Sequence, residues 1–145
     1  VEIHTIGFTQ TTAERFFTRL ADARVERLLD VRLNNTSQLA GFAKAQDLPY
    51  FASRLVGATY EHEPLLAPTQ DILDAYKKRK GDWGAYEREF FALMERRRIH
   101  EVLAPVAFQR PTALLCSEAG PERCHRRLVI EFLAAHWPGV EAVHL

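Results

Sequence analysis

The 145-residue chain reads as α/β: a three-layer α/β/α sandwich on a mostly parallel sheet of about five strands. Two observations carry this reading. Short apolar runs alternate with longer stretches of helical period, the pattern of successive β-α-β units. The ends of those runs also carry small or polar groups: Gly7 and Thr9, Asp30 and Arg32, His62 and Glu63, Cys116 and Glu118. In parallel sheets ligands sit outside the carboxyl ends of the strands, so four such ends predict a functional cleft along one rim.

Ile3 to Ile6 is the first strand, stopped at Gly7. Thr11 or Thr12 caps a helix whose apolar positions are Phe16, Phe17 and Leu20, with Ala13 and Ala23 beside them. Val25 to Val31 is the second strand, followed by the polar loop Asn34-Asn35-Thr36-Ser37. Ala43 to Leu55 is helical, broken or restarted by Pro49. Ala58 to His62 is the third strand and Leu65 to Pro68 a connector. Thr69 caps a helix over Asp71 to Lys78, which Gly81 ends. Asp82 caps the next one, where Trp83, Tyr86, Phe90, Leu93 and Met94 recur at helical spacing and read as a core-facing stripe rather than a cofactor box. Arg96 to Arg98 breaks that helix before a short piece, Ile99 to Leu103, that stops near Pro105. Thr112 to Cys116 is the fourth strand. Pro121 suits the first turn of the last long helix, whose buried stripe is Leu128, Val129, Phe132, Leu133, His136 and Trp137. Pro138-Gly139 ends it, and Val140 to His144 is the fifth strand. With no repeat, low-complexity tract or linker, residues 1–145 read as one Rossmann-like domain large enough for a proper core.

A formal net charge of zero argues against a strongly basic nucleic-acid or membrane binder. Local basic runs remain at Lys77 to Lys80, Arg96 to Arg98 and Arg123 to Arg127, where a solvated helix face is the plainer reading. No apolar run reaches the roughly 18 residues that span a bilayer, and the first residues read as a strand rather than a leader. Two cysteines do not make a disulfide framework, so the expectation is a cytoplasmic protein with reduced thiols, a monomer or homodimer.

Thr5-Ile6-Gly7, Asp30-Val31-Arg32, and Leu115-Cys116-Ser117-Glu118 followed by Glu122-Arg123-Cys124-His125-Arg126 resemble the family called domain of unknown function 488, with a likeness running end to end. Leu66-Ala67-Pro68-Thr69 and the Trp83–Tyr86 helix look like one branch of it. The resemblance implies a small bacterial or archaeal α/β protein whose activity is not established. Members often follow Asp-Val-Arg with a basic, Pro-containing loop; Leu33-Asn34-Asn35-Thr36-Ser37 departs from that and weakens the case for phosphate binding there.

Several chemistries compete for the rim. Six residues separate Cys116 from Arg123, one more than a Cys-nucleophile phosphatase cradle uses. Glu118 and Glu122 would also repel a phosphate dianion, each by about 1 kcal/mol in water at ~4 Å and about 4 kcal/mol at the effective dielectric near a protein surface. The same objection counts against a rhodanese-like sulfur carrier. Cys116, Cys124 and His125 could ligate a metal, with His62 joining them, but helical neighbours diverge by about 100° and the spacing is irregular. No metal and no cofactor is therefore expected. Cys116 reads equally well as a small buried hydrophobe closing a central strand.

Glu118 and Asp30 can divide acid/base or nucleophilic work, assisted by His125 as a proton shuttle; the plainer alternative pairs Glu118 with Arg126, and Asp30 with Arg32 or His125. Gly7, Thr9, Arg32, Cys116, Arg123, Cys124 and Arg126 are the candidate ligand-binding residues, the arginines for phosphate. The leading expectation is an enzyme of nucleotide or nucleic-acid metabolism, with Glu118, Asp30 and His125 acting on an N-glycosidic bond of a phosphorylated small molecule or nucleic acid. A non-enzymatic nucleotide- or nucleic-acid-binding module, and a redox or metal sensor built on Cys116 and Cys124, are the alternatives.

Overall fold

A computed structural model describes residues 1–36 and 41–145; Ser37, the end of the polar loop, lies outside them. Five strands, β1 (Glu2–Gly7), β2 (Arg27–Asp30), β3 (Thr59–His62), β4 (Thr112–Cys116) and β5 (Glu141–His144), form one sheet in the order β3-β2-β4-β1-β5. Every pairing is parallel, with β4 central. The carboxyl ends line up: Gly7 faces Cys116, Asp30 faces Leu115 and His62 faces Asp30.

Helices α1 (Ala13–Asp22) and α2 (Leu48–Val56) cover one face, where Phe16, Leu20, Leu48 and Ala52 pack on Ile6, Leu28, Ala113 and Leu115. Helices α3 (Gln70–Lys77), α4 (Trp83–Arg96), α5 (Ile99–Val102) and α6 (His125–His136) lie on the other side. There Phe90, Met94, Ile99, Val129 and Phe132 pack with Ile3, Leu29, Leu114 and Cys116. This is the three-layer, Rossmann-like α/β architecture. Strand parity assigns the faces: Leu28, Ala113 and Leu115 point to α1 and α2, whereas Leu29, Leu114 and Cys116 point to α4 and α6.

The helix starts follow from local chemistry. Thr12, Thr69 and Asp82 each sit extended before their helix and accept a hydrogen bond from the backbone N–H three residues on, a donor the helix itself leaves unpaired. Pro49 restarts the chain at the first turn of α2, and Gly57 ends that helix in the left-handed region at φ 76°. Two expectations are corrected. Pro121 lies in a turn before α6, which begins only at His125, because Cys124 is its extended cap residue. His136 is exposed rather than part of the buried stripe: its Nδ1 is 2.9 Å from the Phe132 carbonyl and its ring stacks on His100.

Candidate functional site

A cavity of about 250 Å³ opens at the carboxyl edge of the sheet, between the ends of β2 and β4 and helices α3, α4 and α6. One wall is aromatic. Trp83 and Tyr86 are three residues apart on α4 and stack with ring centroids 4.8 Å apart at 14°, and Tyr76 of α3 meets the Trp83 ring edge-on at 5.4 Å. The floor is the β4–α6 junction, Cys116, Cys124 and His125. Arg32, Lys77 and Arg123 supply positive charge, and Glu118 is the one carboxylate among the described lining residues.

The floor is ordered atom by atom. His125 Nε2 lies 2.6 Å from the Val31 carbonyl, an acceptor, so this nitrogen carries a proton, and in the neutral ring Nδ1 is the one with the lone pair. That lone pair faces Cys116 Sγ at 3.6 Å. A nucleophile beside a base that a third group orients is the arrangement of activated-thiol chemistry. A hydrogen bond from Cys124 lowers the Cys116 thiol pKa against the opposing effect of burial, helped by the Ser117 backbone N–H and the charge of Arg126. Burial pushes the Cys124 thiol up, and its hydrogen bond to Cys116 adds to the rise. Cys116 is therefore the more readily ionised of the two.

Arg126 is fully buried with no carboxylate partner among the described residues. Its Nη1 donates to the Glu118 carbonyl at 2.6 Å and to Cys124 Sγ at 3.6 Å, fixing the loop that joins β4 to α6. Gly7 makes the close approach possible: a Cβ there would lie 1.6 Å from the Glu118 carbonyl oxygen. Thr9 closes the same loop by donating its hydroxyl and its backbone N–H to the Ser117 carbonyl. Gly7, Thr9 and Arg126 thus shape the rim from behind, while Arg32, Cys116, Arg123 and Cys124 line the cavity.

Of the three predicted catalytic residues, Glu118 and His125 line the cavity and Asp30 does not. Asp30 is fully buried and absent from the cavity wall. Its carboxylate accepts from Arg32 Nε at 2.9 Å and Arg32 Nη2 at 2.8 Å, and also from Asn35 and the Tyr60 hydroxyl. Burial and this carboxylate push the Tyr60 hydroxyl up to about 12. The expected Asp30–Glu118 partnership has no geometric basis, because Asp30 shares the parity of Leu28 and points to the α1/α2 face. Glu118 is half-exposed at the mouth and pairs with Lys77 Nζ at 3.0 Å, not with Arg126, which takes its backbone instead. Burial would lower Lys77, but the Glu118 hydrogen bond and charge outweigh it and raise its pKa. His125 lies on the floor with both ring nitrogens engaged, and His62 Nε2 is 2.8 Å from the Arg32 carbonyl, away from the cavity wall.

The aromatic wall escaped the sequence reading. The helical spacing is correct for a core stripe, and Phe90, Leu93, Met94 and Tyr86 are buried. Trp83 and Tyr86 serve both roles, packing with the core and facing the cavity. The pairing of a Trp and a Tyr with Asp82 as cap near the basic run Lys77–Lys80 was the available clue. Two donors of cavity-lining residues have no hydrogen-bond partner among the described residues: Trp83 Nε1 and Arg32 Nη1. Arg123 has no ionic partner among them either.

These features define a parallel α/β protein with an aromatic and cationic cavity at the carboxyl edge of its sheet. Residues 12–133 match the family described as Domain of unknown function DUF488, and the chain belongs to that family. No curated protein and no solved structure matches it. No helix among the described residues is long and apolar enough to cross a membrane.

Proposed function

We propose that the cavity takes a phosphorylated nucleoside-type ligand and that the protein is an enzyme acting on its N-glycosidic bond. The observation that carries the reading is the union, in one cavity, of a stacked aromatic wall with three cations. A planar base laid against Trp83 and Tyr76 gains about 1–3 kcal/mol from stacking. Arg123, whose charge is uncompensated, suits the phosphate, whereas Lys77 is paired with Glu118. Asp30 already compensates Arg32, leaving Nη1 as the spare donor.

In this reading Glu118 activates water at the anomeric carbon. Glu118 takes one water proton, the water oxygen bonds to that carbon, the carbon–nitrogen bond breaks, and the proton passes on to the departing base. Lys77 holds the Glu118 carboxylate in place. His125, whose ring is held by the Val31 carbonyl, is not a free shuttle, and Asp30 takes no part. The test is base release, followed by chromatography, from nucleosides, nucleoside monophosphates and short single-stranded oligonucleotides. Release by the wild type and its loss in Glu118→Gln, with binding retained, is the expected result. Binding without release would make the protein a binding module, and neither would overturn the reading.

A further inference from the structure

We infer that the cavity floor is a metal site: a zinc-class divalent ion held by the Cys116 and Cys124 sulfurs and His125 Nδ1, with its fourth position open to the cavity. The inference stands apart from the nucleotide reading, since it concerns only the floor. The three ligand atoms lie within 4.8 Å of one another and all three residues are buried. For metal–sulfur and metal–nitrogen bonds of about 2.3 and 2.0 Å at a tetrahedral angle, the sulfur–nitrogen edge is about 3.5 Å. Cys116 Sγ and His125 Nδ1 are 3.6 Å apart. A thiol hydrogen bond would set the same separation, but it does not call for a third soft donor converging on the same point.

The groups around the ligands fit a metal as well. A ligating histidine ordinarily donates its other ring N–H to a carbonyl or carboxylate, which fixes the tautomer. His125 Nε2 does this to the Val31 carbonyl at 2.6 Å. Arg126 Nη1 donates to Cys124 Sγ at 3.6 Å, a contact that suits a ligating thiolate. The charges balance: if two thiol protons leave as one divalent ion enters, the net charge beside buried Arg126 does not change. Two sulfurs and an imidazole select zinc, cobalt and their neighbours over magnesium or calcium. All three residues line the cavity, so a water or ligand atom can complete the shell, as in catalytic zinc sites.

Spacing concealed this arrangement. Cys124 and His125 would diverge by about 100° as helical neighbours. Cys124 is instead extended at φ −136° and ψ 137°, one residue before α6 begins. A second set of donors, Glu95, His100 and His136, also lies within 4.8 Å but nearer the surface. There the two imidazoles stack at 4.0 Å and 24°, which sets their in-plane lone pairs side by side rather than toward one ion.

The test is a cobalt(II) titration of the reduced, metal-free 145-residue chain, read by absorption, with zinc competition and equilibrium dialysis for stoichiometry. One cobalt per chain is expected, with thiolate-to-cobalt charge-transfer bands and intense tetrahedral d–d bands that zinc removes. Cys116→Ser and Cys124→Ser should each lose the charge-transfer bands or sharply weaken them, whereas His100→Gln should keep the full spectrum. No stoichiometric binding, binding without charge-transfer bands, or loss of binding in His100→Gln would overturn the inference. The wild-type spectrum reports thiolate ligation by itself, so a serine variant that fails to fold leaves the test decisive. No nucleotide is present, so failure here is distinct from failure of the proposed activity.

Discussion

Asp30 and Arg32 show how a residue type that suggests chemistry can be committed to structure. Both side chains are buried, and Arg32 Nη2 divides between the Asp30 carboxylate at 2.8 Å and the Ala43 carbonyl at 2.7 Å. Removing one partner of a buried ion pair leaves the other charge uncompensated, at about 3–5 kcal/mol. Asp30→Ala should therefore lower unfolding stability by about 3–5 kcal/mol in urea denaturation. A variant with wild-type stability but no activity would instead return Asp30 to a catalytic role. Cys116 makes the opposite case: expected to be equally at home as inert packing, it has neighbours that favour its thiolate. Because its pKa is lowered, its thiolate fraction at neutral pH exceeds that of a free cysteine. In the reduced, metal-free protein its iodoacetamide reaction rate should rise with pH to a midpoint below that of a free cysteine. Cys124→Ala removes the hydrogen bond that lowers this pKa most, so the midpoint should move upward. An unchanged profile would refute that cause.

At the scale of elements, the decisive piece is the turn that carries the chain from β4 into α6. Gly7 at the end of β1, Arg126 on α6 and Thr9 beyond β1 all hold it from behind. Gly7→Ala would force its Cβ into the Glu118 carbonyl, and the backbone must shift. Overpacking of this kind costs about 1–3 kcal/mol, so the melting temperature should fall and the Lys77–Glu118 geometry at the mouth should loosen. An unchanged melting temperature would show that the turn is free to move. The helix caps at Thr12, Thr69 and Asp82 were legible in the sequence because a cap depends on one side chain and the next three residues. The start of α6 was not, since Pro121 is as acceptable in the preceding turn as in a first helical turn. That shift of a few residues moved Cys124 off the helix and brought it to Cys116. Strand parity was legible in principle: counting from Leu28 sends Asp30 to the α1/α2 face, away from Cys116.

For the whole molecule, the alternation of strands and helices determined both the architecture and the address of the cavity, because a parallel sheet brings its carboxyl ends to one rim. What lies over that rim was less legible. Tyr76, Trp83 and Tyr86 reach the cavity from α3 and α4, helices that pack on a neighbouring face, and a core stripe has the same period as a wall. The balanced net charge likewise hid an uncompensated Arg123 beside two paired cations. The measurement that tests the central claim most directly is a thermal-shift comparison of nucleoside monophosphates, nucleosides and inorganic phosphate. Wild type, Trp83→Ala and Arg123→Ala are each referred to their own ligand-free melting temperature. The account predicts the largest stabilisation with a nucleoside monophosphate, reduced in both variants. No stabilisation by any of these, or an equal shift in all three proteins, would contradict it.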